Sequence, residues 1–485
     1  MNRSVLAAFG AITLALFTLP ACTQQNPDLG PVMQLNDRDG GAASFSWAYY
    51  TSIVARGDKV AVAWLNQNGA PQRDAMARQS TDRAQTWSEA TVLNIPPYQK
   101  TISVVPTLHA LSGDDELLAV WQSRRNPTGQ KFLLTRRSSD FGASWAPPIA
   151  INRKNQAFLP VVARGPKEEV VVAWTDERNV HRDIFVNRSL DGGKTWLPRD
   201  VQISKMPSSE AGGPALTIGE GGNAYLAWEE RPRRQDKQGK PHLGFARSKD
   251  LGVSWSTPEK AVLVEEDTPV SPMWPQMVEA GGRLTLVWTG GFTGRRARSW
   301  LWIRSSTDGG KTWSTPTEIY TGKTHPFFHL KTRNGKVYLV WHAGEGDKDG
   351  AIYFNASDDG GATWRRPWKQ ATRLDRAPSN SALHPRLALA EEGENVAVTW
   401  QEAHARVQVA ISRDDGGTWG ASGGITIASD AEGSELRNPQ VAVTENAAYV
   451  LWERWPDRKS HVKTFADIEK VLPKDNFVRR LDIRS

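Results

Sequence analysis

The sequence predicts an all-β protein: a single β-propeller of eight four-stranded blades, with seven blades as the alternative count. Two ladders of tryptophan-bearing segments carry that prediction, because self-similarity at a period of tens of residues is the mark of an array or a propeller. The first ladder is a β-type apolar run ending in Trp, as in Val60-Ala61-Val62-Ala63-Trp64, Leu118-Ala119-Val120-Trp121, Val170-Val171-Val172-Ala173-Trp174 and Ala224-Tyr225-Leu226-Ala227-Trp228. It continues through Trp288, Trp341, Trp400 and Trp452, with successive spacings of 52 to 60 residues. The second ladder, Ser-x-Asp-x-Gly-x-Thr/Ser-Trp, follows each unit in register. It runs Ser138 to Trp145, Ser189 to Trp196, Ser248 to Trp255, Ser306 to Trp313, Ser357 to Trp364 and Ser412 to Trp419, with a degenerate copy at Ser80 to Trp87 that has Ala84 in place of Gly. Together the ladders explain why the chain carries 21 Trp among 485 residues.

Each unit reads as four strands. The first follows a recurring Pro and the second ends at the ladder Trp. The third is a segment such as Ile184-Phe185-Val186-Asn187-Arg188, and a tight turn then leads to a fourth such as Val201-Gln202-Ile203. The eighth unit has a first strand after Pro439 and a second ending at Trp452, but no turn motif follows. Val32-Met33-Gln34-Leu35-Asn36 is similar to the fourth strands Thr91-Val92-Leu93-Asn94 and Ile149-Ala150-Ile151-Asn152, so the N-terminus is expected to complete the last blade. The competing choice for that outer strand is Phe477 to Ile483. A propeller spanning 32–485 follows, closed by strands from both ends of the chain.

The turn motif resembles the Asp box, also called the bacterial neuraminidase repeat, and the resemblance places the chain in the sialidase-like propeller superfamily. Asp82, Asp140, Asp191, Asp250, Asp308, Asp359 and Asp414 are its carboxylates. A carboxylate can accept hydrogen bonds from the N–H groups of a tight turn, Gly supplies positive φ, and Trp covers the joint between sheets. The box is therefore expected to be structural. Its neighbours Leu, Phe, Lys and Arg supply no further oxygen ligands for calcium.

Residues 1–21 have the layout of a signal peptide, with Arg3 followed by an apolar run from Val5 to Leu19 that is too short to span a membrane. Leu19-Pro20-Ala21-Cys22 resembles a lipobox, which implies lipidation of Cys22, a tether over 22–31 and membrane attachment through the lipid. Pro20 departs from that pattern. Thr23 and Gln24 follow Cys22 with no Asp after it, which in the Gram-negative lipoproteins it resembles favours the outer membrane. Cys22 is the only cysteine, so no internal disulfide or haem attachment is expected. The formal charge is +7, and loss of Arg3 with residues 1–21 leaves +6. Lys and Arg are dispersed, which argues against nucleic-acid binding. Scattered His residues have no zinc-like spacing, and the Gly-Gly pairs belong to turns, so no metal or cofactor is expected. The chain is expected to be a monomer.

Turns between first and second and between third and fourth strands share one face of a propeller, the Asp-box face. Second-to-third loops and blade crossings share the other, and binding groups are expected there. After the ladder Trp come Arg124 and Arg125; Asp176, Glu177 and Arg178; Glu229, Glu230 and Arg231; Gln401, Glu402, His404 and Arg406; and Glu453 with Arg454. Before the Pro lie Trp274, His325, His384 and Asn438. One reading is that these acids and arginines pair between adjacent blades. The other is a ring offering guanidinium forks to a carboxylate or sulfate and an aromatic or His edge to a sugar.

The resemblance implies what a sialidase would need: three arginines on the substrate carboxylate, a Tyr nucleophile activated by Glu, and an Asp acid/base. The first arginine sits in an Arg-Ile-Pro motif in that family, and this sequence contains none. Blade 1 opens with Phe45-Ser46-Trp47-Ala48-Tyr49-Tyr50, and Tyr49 or Tyr50 could reach the channel mouth. Asp176 with Glu229, or Glu402 with Glu453, could form a two-carboxylate pair. The absent motif favours an anchored binder of a glycan or an envelope protein. A sialidase-like exo-hydrolase of an anionic sugar is the alternative, and a structural role in an envelope complex is the second alternative.

Overall fold

The computed structural model describes residues 29–35, 51–66, 74–95, 101–125, 128–154, 156–179, 181–205, 208–233, 239–263, 271–291, 298–344, 350–375, 382–420, 423–430, 434–455 and 475–483; the side chains of 101–105, of Arg125 and of Leu263 are not among them. The strands form eight four-stranded antiparallel sheets that follow one another along the chain. The eight-bladed reading holds. Cys22, Tyr49 and Tyr50 lie outside the described residues. Among these residues no helix is long and apolar enough to cross a membrane.

The ladder runs are second strands. Val170–Asp176 is buried at every position, as is Val396–Glu402, because each blade is covered on both faces by its neighbours. Such strands read as continuous apolar runs rather than alternating ones. One core cluster joins Leu118, Val120 and Leu133 of blade 2 to Val170, Val172, Trp174 and Trp196 of blade 3. Several outer strands are only two residues long, such as Thr91–Val92 and Val201–Gln202, and so offer little free edge for pairing with another chain.

The Asp box is the fastener its chemistry suggests. In blade 3, Ser189 Oγ donates to Asp191 Oδ1 at 2.6 Å and accepts the Gly193 N–H at 2.7 Å. Thr195 donates its N–H and hydroxyl to the same carboxylate at 2.8 and 2.6 Å. The second Gly of the box lies at positive φ and leans on the preceding blade: a Cβ on Gly310 would stand 2.3 Å from the Phe245 ring. Box tryptophans seal the same seam edge-on, Trp313 on Phe245 at 5.3 Å and Trp419 on Phe354 at 4.8 Å. The degenerate copy forms the same turn, with Ala84 forced to φ 61° so that its N–H still reaches Ser80 Oγ at 2.9 Å.

A second tie between blades was not foreseen. A long third-strand side chain donates to a backbone carbonyl on the preceding blade: Arg136 Nη1 to Val92 at 3.1 Å, Asn187 Nδ2 to Ile151 at 3.2 Å, Arg304 Nη1 to Ala261 at 2.6 Å and Arg479 Nη1 to Ile427 at 2.8 Å.

Blade 8 closes the ring. Its sheet order is Leu29–Gln34, Asp475–Asp482, Ala447–Trp455, Glu435–Val443. The N-terminal strand supplies the outer position as expected, although it begins at Leu29, inside the tether read from sequence. Phe477 to Ile483 does not compete for that position. It falls in the third strand and its end, with Phe477 opposite Trp452 on one side and Gln34 on the other.

Candidate functional site: an aromatic and histidine cluster at the channel mouth

In blade 6 the recurring Pro326 precedes the inner strand, Phe328–Arg333, as read from sequence, but in the other blades that carry it the Pro lies within that strand. In blades 2, 3, 4, 5, 7 and 8 the pairing shifts register across the Pro. The residue before it turns left-handed, with φ of 52° at Leu159, 54° at Gly213, 49° at Trp274, 54° at His384 and 50° at Asn438. That conformation is strained for a residue with a side chain, doubly so before Pro. A bulge of this kind re-aims a side chain, and in these five blades it places the residue before the Pro at the mouth of the central channel. Blade 4 offers Gly213 there, where a Cβ would meet Glu229 Oε1 at 2.9 Å, so no side chain stands between Leu159 and Trp274.

The neighbouring groups on blades 5 to 7 form an aromatic cluster. His325 meets the Trp274 ring edge-on at 4.4 Å between centroids, and Phe327 lies nearly parallel to Trp274 at 6.2 Å. Phe327 also contacts His384 at 4.3 Å and stacks on His342 at 6.4 Å. Trp274 remains 38% exposed, while His342 is fully buried. Burial lowers all three histidines, His325 and His342 to about 4 and His384 to about 3, so they are neutral imidazoles near pH 7. Nearby Arg386, His342, His404 and Arg437 add to the effect at His384. Across the seam with blade 4, Glu229 Oε1 accepts the Trp274 backbone N–H at 2.8 Å, while its Oε2 takes Arg231 Nη2 at 2.5 Å.

The acids and arginines after the ladder Trp do pair, most of them within a blade, while Glu177 reaches between blades to Lys131 of blade 2. Asp176, fully buried, accepts Trp174 Nε1 at 2.9 Å and Arg178 Nε and Nη2 at 2.8 and 2.6 Å. Arg178 also reaches Asp200 at 2.9 Å and lies over the Phe185 ring at 4.1 Å. Burial opposes the Arg178 charge, but the hydrogen bond and charge of Asp176 outweigh it and raise its pKa. Glu230 takes Trp228 Nε1 at 2.5 Å and the Ser209 hydroxyl, and burial raises its carboxyl. Glu177 pairs with Lys131 at 2.6 Å and Glu402 with Arg406 at 3.1 Å; Arg454 reaches Asp475 at 2.5 Å. His404 Nδ1 lies 2.8 Å from Gln401 Nε2. Glu453 accepts Asn438 Nδ2 at 2.9 Å and Trp455 Nε1 at 3.1 Å, and burial pushes its carboxyl up to about 7. Arg124 is exposed at the end of its strand.

Of the residues singled out from sequence, Trp274 and His325 meet directly and His384 joins them through Phe327, with Glu229 and Arg231 at their edge. Arg178 is committed to two carboxylates and is not a free fork. Phe327 and His342 were missed, although His342 immediately follows the ladder Trp341 and Phe327 follows His325-Pro326. Among the described residues no group of three or more His, Cys, Asp or Glu side chains is arranged to hold a metal ion.

Eight blades, seven of them fastened by Asp boxes, with a loop-face cluster at the channel mouth, define a sialidase-like propeller. The chain belongs to the BNR repeat-like domain family, which it matches over residues 47–268 and 222–449. No curated protein matches it. Solved structures it resembles include the polysaccharide lyase Uly1, with 12% identity over 94% of this chain and 100% of that one at TM-score 0.48. It also resembles the Penicillium chrysogenum alpha-L-arabinanase, with 14% identity over 71% and 100% of the two chains at TM-score 0.41. A third is the Trypanosoma rangeli sialidase, with 11% identity over 93% and 59% at TM-score 0.40.

Proposed function

We propose that the protein is an exported, lipid-anchored propeller that binds a glycan at the loop face, across Trp274 and the histidines beside it. One observation carries the reading: Trp274 is held partly exposed at the channel mouth by a left-handed bulge and a backbone hydrogen bond to Glu229. A half-exposed indole offers an apolar face to a sugar ring, and the exposed Arg231 beside it, paired with Glu229, offers hydrogen bonds to hydroxyl or acidic substituents. Anchoring rests on Cys22 and the apolar run before it, and it favours the outer membrane.

The reading is tested on a glycan array. Binding should weaken at least about tenfold, or about 1.4 kcal/mol, in Trp274→Ala, with thermal stability within a few degrees of wild type. Equal binding by both proteins would overturn it. A second reading, hydrolysis of an anionic sugar, is favoured by Glu453, whose carboxyl near pH 7 could donate a proton. Turnover of fluorogenic sialosides or uronides that disappears in Glu453→Gln would establish it, and no turnover by folded protein would remove it.

A further inference from the structure

The opposite end of the channel has different chemistry. A cavity of about 510 Å³ opens there, on the Asp-box face, where the inner strands of blades 1 to 6 end. Four cationic residues line it, Arg56, Arg164, Lys167 and Lys331, together with the hydroxyls of Ser112, Thr217 and Thr332. Among the described lining residues there is no Asp or Glu.

Strand alternation explains the convergence. Residues two apart on a strand share a face, so His329 and Lys331 of blade 6 point the same way, as do Thr107 and His109 of blade 2. Arg164 of blade 3 and Arg386 of blade 7 are near enough for their charges to bear on Lys331. Most of these groups have tasks. Arg56 is held by both oxygens of Glu391, at 2.6 and 3.0 Å, and by the Leu111 carbonyl at 3.0 Å. Arg164 donates to the Ala110 carbonyl. His329 Nδ1 accepts the Leu387 N–H at 3.1 Å, which leaves the proton of a neutral ring on Nε2. His109 Nε2 lies 3.0 Å from Thr107 Oγ1, whose hydroxyl donates to the Val120 carbonyl at 3.2 Å, so that imidazole also carries its proton on Nε2.

Lys331 is different: among the described residues its ammonium has neither a hydrogen bond nor an ion pair. Burial, and then the charges of Arg164 and Arg386, lower it to about 8. Lys331 is half-buried at the channel opening, and an ammonium held there beside like charges is favoured when an anion accompanies it.

We propose that this cavity binds a tetrahedral oxyanion, phosphate or sulfate, free or as the terminal group of a larger ligand, with Lys331 and Arg164 as its charged partners. The geometry favours an oxyanion over a lone carboxylate because cationic groups approach from blades on different sides of the channel and the Thr217 hydroxyl joins them, while the Ser112 and Thr332 hydroxyls donate to Glu168 and to the Lys336 carbonyl. This site is independent of the Trp274 cluster and lies on the other face.

Calorimetric titration of the full chain tests it with inorganic phosphate, glycerol 3-phosphate and, at matched ionic strength, potassium chloride. Wild type should bind phosphate but not chloride. Lys331→Met should lose at least about tenfold in affinity, and Lys331→Arg should retain binding. Lys331→Met should also unfold at a higher temperature than wild type in chloride alone, because one unpaired charge is gone, and that observation establishes that it folds. Should it not fold, Arg164→Gln provides the same comparison. Binding of both phosphates identifies a group that can be carried on a larger ligand; binding of inorganic phosphate alone identifies the free ion. No phosphate binding by wild type, or equal affinity in wild type and Lys331→Met, overturns the proposal.

Discussion

Replacing Glu453 by Gln removes one ionisable group beneath the channel mouth while leaving a carbonyl able to accept from Asn438 and Trp455. In the folded chain burial holds the Glu453 carboxyl at about 7, against an ordinary value of 4.5. The fold therefore keeps a proton that the unfolded chain has released over that interval. A raised carboxyl of this kind contributes its full stability below pH 4.5 and loses it progressively as pH rises through 7. At about 1.4 kcal/mol per pH unit, the ionised group costs the wild type about 3 kcal/mol at pH 8. Gln cannot ionise, so the stability of the variant relative to wild type should rise by about 3 kcal/mol between pH 4.5 and pH 8. Urea unfolding followed by tryptophan fluorescence at the two pH values measures this. Histidines and Asp boxes titrate in both proteins and cancel in the difference. A relative stability unchanged between the two pH values would refute the reasoning and would mean that Arg437 carries enough charge to ionise Glu453 normally.

Ala84→Gly should stabilise the protein by about 1 kcal/mol, because Ala84 sits at φ 61° in a turn whose other copies use Gly; a thermal melt reads the gain. Asp176→Ala should cost about 3 kcal/mol in urea unfolding, since Arg178 and the Trp174 indole lose a buried acceptor together. His342 is lowered to about 4 by burial, so its contribution is present above pH 6.5 and is lost as pH falls toward 4. His342→Phe should accordingly lose about 2 kcal/mol less than wild type between pH 7.5 and pH 5, measured by urea midpoint.

The blade count, the role of the Asp box and the closing strand were legible because each depends on a local pattern repeated along the chain. Val170–Asp176 announces a strand covered on both faces, and Ser189 to Trp196 contains every group its turn uses. The third strand of blade 8 was harder, since residues 456–474 separate it from its partner strand and no box follows it. At the channel mouth the sequence names Trp274, His325 and His384 but not Phe327, which joins them, and most of the charged partners differ from those expected. Asp176 and Arg178, or Glu229 and Arg231, are two apart and meet within one blade, a short-range relation that was passed over for pairing across blades. Trp274 and His384 were found through the Pro that follows them, but the left-handed turn that aims them depends on the bulge and has no separate signature in the residue string. The channel cations were invisible for another reason: Arg164, Lys331 and Arg386 come from three blades, and only ring closure brings them together.

The strand that completes blade 8 also decides which way up the disk would stand. Leu29 pairs with Leu481 and Gln34 with Phe477, so this strand enters at the Asp-box end of the sheet and leaves at the loop end. Under the proposed anchoring at Cys22, the seven residues from Cys22 to Leu29 can reach at most about 25 Å. A leash that short, fastened at the rim of the Asp-box face, turns that face toward the lipid and leaves Trp274 looking outward, so the same six residues would serve as clasp and compass.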